Sequence, residues 1–221
     1  MSHARNLDQY RSRLQDEKSA AKYAQRFERG SRKRVDRREQ AAVRRIFSEL
    51  KGVKVVLDVP CGAGRFAATL GGDGRRLIAV DVAAEVLVHA SSRAKKAGVQ
   101  AKVMQGDATN LPLDDKAVDC AFSNRLLHHI LDRKERLKIL RELLRVTRRY
   151  AVVSFFDYHS FGAVRKFLKA LKGRKPPYEG QPTFAKFADE VSEAGFNVLE
   201  VVPTGAPWIA QKYFALERRK T

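Results

Sequence analysis

Beyond residue 52 the chain alternates between short β-branched runs and stretches whose apolar residues recur at helical spacing. Val53 to Val59 is one such run; it stops at Pro60 and a Gly-rich turn, which predicts a strand with an abrupt end. Helix is expected from Arg65 to Leu70, strand from Arg76 to Asp81, and helix over 83–97, halted by Gly98. Further strands are expected at about 101–105 and 117–123. Asp132 then opens a helix, with Glu135 three residues on as in an Asp variant of the capping box, and Leu137, Leu140 and Leu144 form its buried stripe. Tyr150 to Phe156 is apolar nearly throughout, which suits a central parallel strand covered on both faces. Thr183 is placed to cap a helix running to about Ala194. Strands at 196–202 and 208–217 follow, and the Pro203–Pro207 connection is short enough for a hairpin.

Strands alternating with helices in this way predict an α/β fold. The expected architecture is a Rossmann-like, doubly wound, mostly parallel sheet with right-handed crossovers and an antiparallel last strand. Residues 1–51 read differently, as a basic N-terminal helical cap on a domain formed by 52–221. Tyr23, Phe27, Val43, Ile46, Phe47 and Leu50 are its expected inward positions, and the run Arg29 to Arg34, with Gly30 inside it, divides it into two helices. Near 160–182 the pattern predicts a basic lid helix, with Phe161, Val164, Leu168 and Leu171 on one stripe and Arg165, Lys169 and Lys172 on another.

Charge changes this picture more than composition does. The 221 residues hold 44 Lys and Arg against 25 Asp and Glu, a formal net charge of +19. Residues 1–51 contribute 15 of the cations and 7 of the acids. Such a field attracts polyanions such as RNA or an anionic membrane surface, although a basic solvated surface without any such partner fits the number equally well. No apolar run reaches the roughly 18 residues that span a bilayer, and no signal-peptide core precedes the fold, so a cytoplasmic location is expected. Cys61 and Cys120 are expected as free thiols.

Three acids fall at predicted strand ends. Asp58 precedes Pro60-Cys61-Gly62-Ala63-Gly64, Asp81 ends the second strand, and Asp107 follows the third within Gly106-Asp107-Ala108. In open α/β sheets ligands bind beyond the carboxyl ends of the strands. The glycines let a backbone approach a ligand closely. Asp81 is suited to accept both ribose hydroxyls and Asp107 an exocyclic amine, with Val82 and Leu126 on the two faces of an adenine. Gly62, Gly64 and Ala67 also satisfy a dinucleotide fingerprint, yet Asp58 so close to the turn disfavours a pyrophosphate. A cationic adenosine ligand such as S-adenosylmethionine (SAM) welcomes that carboxylate.

The motifs themselves are similar to a known family. Val56-Leu57-Asp58-Val59-Pro60-Cys61-Gly62-Ala63-Gly64-Arg65-Phe66 resembles the first motif of class I SAM-dependent methyltransferases. Gly106 to Leu113 resembles the adenine-contacting motif of the branch called methyltransferase type 11, and Val118 to Ile130 its fourth motif at the mouth of the site. The resemblance covers roughly Val53 to Phe156 and implies SAM as cofactor. It implies contacts to SAM from Asp58, Cys61, Gly62, Gly64, Asp81, Val82, Asp107, Ala108, Asn124 and Leu126. The fourth motif is not the Asn/Asp-Pro-Pro-Tyr/Phe type used on exocyclic amines of bases, which argues against such a target.

Methyl transfer from a sulfonium is an in-line displacement in which orientation supplies much of the acceleration. A base is needed only for an acceptor with a proton to lose, and His128, His129 and Asp157 are the candidates. No metal is expected. The expected acceptor is a small or lipid-linked metabolite; an RNA methyltransferase and a SAM-binding partner protein without catalysis are the alternatives.

Overall fold

The computed structural model describes residues 17–27, 30–157, 181–206 and 209–220. Seven strands form one sheet: β1 (Val55–Asp58), β2 (Arg76–Asp81), β3 (Ala101–Gln105), β4 (Val118–Ser123), β5 (Thr147–Phe156), β6 (Phe196–Pro203) and β7 (Gln211–Arg218). Their order is β3-β2-β1-β4-β5-β7-β6. The first five run parallel, and β7 lies antiparallel between β5 and β6. This is the expected Rossmann-like sheet, with its topological switch between β1 and β4.

The parallel strands are apolar on both sides because helices cover both. Along β5, Ala151, Val153 and Phe155 enter one core while Tyr150 and Val152 enter the other. The first core is completed by α5 (Arg133–Val146) and α6 (Phe184–Glu193). The second is completed by α2 (Gly30–Glu49), α3 (Ala67–Leu70) and α4 (Ala84–Lys96). A first helix, α1 (Glu17–Ala24), continues into a 3-10 turn over Gln25–Phe27 and packs on α4.

Local signals behaved as their chemistry dictates. The Asp132 side chain accepts from Lys134 N at 2.8 Å and starts α5; Thr183 Oγ1 accepts from Lys186 N at 3.3 Å and starts α6. Three readings change. The buried stripe of α5 is Leu137, Ile139, Leu140, Leu143 and Val146, and Leu144 is only half-buried. The helix expected from Arg65 begins at Ala67 and lasts one turn. Gly30 opens α2 with φ of 61°, so Ser31 to Arg34 belong to the helix and not to the break. The predicted lid near 160–182 lies almost wholly outside the described residues. Among the described residues no helix is long and apolar enough to cross a membrane.

Candidate functional site

The carboxyl ends of β1, β2 and β4 meet at the switch point, and the turn after β1 is stitched between its neighbours. Val59 N donates to Phe122 O and Cys61 N to Val80 O, both at 2.9 Å. Asp81 fixes the turn from the next strand: Oδ2 accepts from Gly62 N at 2.8 Å and Oδ1 from Ala83 N at 3.1 Å. Gly64, at φ of 74°, has no room for a side chain, because a Cβ there would stand 2.7 Å from Ala90 Cα. The glycine therefore seats the loop directly on α4. At Gly62 a Cβ would stand 3.0 Å from the Tyr23 ring, so the N-terminal helix lies against the same turn.

Asp58 is 2% exposed at the end of β1 and receives no hydrogen bond from a described residue. Burial, and secondarily the charge of Asp81, push its carboxyl well above the usual carboxylate range, with Arg65 opposing. A buried acid held towards its neutral form is expensive to ionise unless a cation arrives. Cys61 beside it is driven up by burial and by the same two acids, so its thiol stays protonated. Cys61 and Cys120 are both buried and free, as expected. Asp107 closes its own turn, with Oδ1 accepting from Thr109 N at 2.8 Å and Thr109 Oγ1 at 2.7 Å. Val82 is half-buried and Leu126 is 2% exposed.

A cleft opens beside Asp58, Cys61 and Asn124, and its other walls carry residues with no site role expected from the sequence: Tyr23 and Phe27, expected only as inward positions of the cap, with Arg65 and Arg125 among them. Glu39 of α2, fully buried, receives hydrogen bonds from both Arg65 and Arg125, and Asp36 pairs with Arg65 at 2.5 Å. Burial works against the Arg65 charge, yet Glu39 and Asp36 outweigh it and raise its pKa. The Phe27 ring lies against both guanidiniums, 4.2 Å from that of Arg65 and 5.4 Å from that of Arg125. The only sequence signal for this arrangement was two acids within an arginine-rich helix, and nothing local marks such acids as inward.

The proposed bases follow β4 and β5. The His128 ring lies tilted, its centroid 3.9 Å from that of His129 and 4.2 Å from that of Phe156. Asp157 is buried and pairs with Lys212 at 2.9 Å. Among the described residues no cluster of His, Cys, Asp and Glu has the makings of a metal site.

A doubly wound sheet with a glycine turn, an acid before it and a carboxylate closing it from β2 defines a class of nucleoside-binding proteins. Residues 56–150 match the family model described as a methyltransferase domain. Over that stretch the chain is similar to the class I SAM-dependent methyltransferases. It is similar to a malonyl-[acyl-carrier protein] O-methyltransferase of Pectobacterium atrosepticum, 37% identical over 100 residues, which is 45% of this chain and 37% of that one. The first three curated relatives are matched over only 35% to 42% of their lengths. Among solved structures, magnesium protoporphyrin IX methyltransferase of Synechocystis, with S-adenosylhomocysteine (SAH) bound, shares the fold at a TM-score of 0.76 and 17% identity, covering 96% of this chain and all of that one. The [4+2]-cyclase SpnF also shares it, at 0.66 and 17%, covering 84% and 81%, so the fold alone does not name a reaction.

The residues present fit SAM. A buried acid without a hydrogen bond from a described residue, at the end of β1 beside the glycine turn, is the complement of a cation.

Proposed function

We propose that this protein transfers the methyl group of SAM to a small or lipid-linked metabolite. The observation that carries this reading is the coupling of the Asp58 to Gly64 turn to Asp81, whose carboxylate accepts from Gly62 N and Ala83 N at the carboxyl end of β2, where a ligand of an open α/β sheet would lie. When bound, SAM supplies an electrophilic methyl on a sulfonium. Gly62 and Gly64 would hold its methionine part, Asp58 its cationic end, Asp81 the ribose, and Asp107 with Ala108, Val82 and Leu126 the adenine; Cys61 and Asn124 would line the way to the methyl. For an acceptor with a proton to lose, His128, His129 and Asp157 are the groups within the fourth motif and after β5 that would take it. Turnover surviving replacement of both histidines by Ala would remove them from that role.

One observation favours a second reading, an RNA acceptor. Asp36 and Glu39 turn inward to Arg65 and Arg125, which leaves Arg32, Lys33, Arg34, Arg37, Arg38, Arg44 and Arg45 exposed on α2. That outer face is a ready phosphate contact. Transfer of labelled methyl from SAM into a fractionated cell extract, followed by ribonuclease, separates the two. Label that resists ribonuclease and extracts as a small molecule or lipid is the expected result; label destroyed by ribonuclease makes RNA the acceptor. SAM binding without any transfer supports a non-catalytic binding protein instead.

A further inference from the structure

The sheet order divides the site into two halves. Apart from Leu126, the adenosine contacts proposed above lie on the turns after β1, β2 and β3, whereas Asn124 and Arg125 follow β4 and hydrogen-bond to β5 and β7. Arg125 is held unusually firmly for a loop residue. Its φ is 58°, a left-handed conformation that costs a non-glycine residue about 1 kcal/mol and persists only where surroundings enforce it. Its backbone N donates to Ser154 Oγ of β5 at 2.6 Å. Its Nε donates to Glu39 Oε1 and its NH2 to Gln211 Oε1 of β7, both at 3.0 Å. The Phe27 and Phe156 rings each lie 5.4 Å from the guanidinium carbon. None of these partners belongs to β1, β2 or β3. One edge of the guanidinium is thus fully committed, and the NH1 edge has no partner among the described residues.

Asn124 is oriented by the same neighbours. Its Oδ1 accepts from Tyr213 OH at 2.9 Å and from Gln211 Nε2 at 3.3 Å. With the oxygen so fixed, the amide Nδ2 is the opposite end of the group, and it too has no partner among the described residues. The side chain is only 9% exposed and lines the cleft beside Arg125. Two adjacent residues therefore bring uncommitted N–H donors, one of them cationic, to the acceptor half of the cleft. A planar anion with two oxygens is the ligand such a fork fits best.

We propose that Asn124 and Arg125 form a carboxylate subsite for the acceptor, and that the methyl group is delivered to that carboxylate to give a methyl ester. This rests on the transferase reading above and narrows its acceptor class. The step balances without a base. A carboxylate oxygen forms the bond to the methyl carbon, the carbon–sulfur bond breaks, its electron pair stays on sulfur, and the negative and positive charges cancel into a neutral ester and a neutral thioether. No proton moves, so the Asp157–Lys212 pair and His128 need take none.

The test uses the full-length protein, methyl-labelled SAM and a cell extract, followed by mild alkali and collection of volatile label. Methyl carboxyl esters release methanol under these conditions, whereas methylated amines, carbons, ethers and ribose hydroxyls keep their label. Volatile, alkali-released label is expected. Alkali-stable label overturns the carboxylate subsite while leaving methyl transfer intact, and an absence of any label removes both readings. Arg125→Lys, which keeps the charge but loses the planar fork, should cut alkali-released label more than tenfold while SAH affinity stays within about threefold. Asn124→Asp, which sets a like charge against the incoming carboxylate, should cut it at least as far, with thermal melting run on both variants to verify folding. If Arg125→Lys instead weakens SAM but not decarboxylated SAM, the carboxylate served is the cofactor's own and the acceptor assignment falls.

Discussion

Truncating Glu190 offers a direct test of how this fold is held. Glu190 of α6 and Arg136 of α5 are 2% and 4% exposed and meet in a two-point pair, with Nε to Oε2 at 2.8 Å and NH2 to Oε1 at 2.6 Å. Arg136 NH1 also donates to Ile130 O at 2.9 Å and Leu131 O at 2.6 Å, so the pair anchors the segment that follows the two histidines. In Glu190→Ala those two carbonyl contacts survive, but Nε and NH2 lose their acceptor in a site closed to water. Arg133, 3.9 Å from Glu190, is half-exposed and loses little. Removing one partner of a buried pair costs about 3–5 kcal/mol, because the remaining charge is left uncompensated. At about 2–4 °C per kcal/mol for a chain of this size, the melting temperature should fall by roughly 6–20 °C. The double replacement Arg136→Met with Glu190→Leu should recover part of that loss, since no charge is then buried, although Ile130 O and Leu131 O lose their donor. Urea denaturation of the wild type and both variants measures this. A single-variant loss below about 1 kcal/mol, or a double variant as unstable as the single, refutes the reasoning.

Further outcomes follow from the cofactor side. Asp58 has a folded-state pKa raised above its unfolded value, so its ionisation opposes folding increasingly as pH rises from the unfolded towards the folded value. Asp58→Asn should accordingly raise the melting temperature at neutral pH while abolishing SAM binding, and a variant that melts lower contradicts this. Because SAM binding would favour the ionised form, the wild type should release a proton on binding SAM and bind it more tightly as pH rises through the raised pKa; calorimetry in buffers of different ionisation enthalpy detects that proton. Gly64→Ala forces a Cβ to 2.7 Å from Ala90 Cα at a positive φ, and should cost about 2 kcal/mol or more together with at least a tenfold loss of SAH affinity. Unchanged affinity would mean the loop need not sit on α4.

The sequence alone determined the elements that rest on local chemistry. The bounds of β2 and β3 match the apolar runs that predicted them, and the side chains of Asp132 and Thr183 cap the helices they were expected to start. Periodicity and capping act over a few residues, so a few residues suffice to read them. The turn from Asp58 to Gly64 was legible for the same reason, as its glycines answer a backbone demand visible in the sequence. Only the tertiary structure decided the rest. Leu143 replaces Leu144 in the α5 core because the position of the sheet, and not the helix, chooses the buried face. Glu39 reads as one acid on a solvated basic helix until the fold brings Arg65 and Arg125, respectively 26 and 86 residues away, to its two oxygens. Likewise the direction of the Asn124 amide is set by Gln211 and Tyr213 from the far end of the chain. Charge pairing at long separation leaves no periodic trace, since it depends on which strands become neighbours. That is why the glycine turn could be read from the sequence and the surroundings of Asn124 and Arg125 could not.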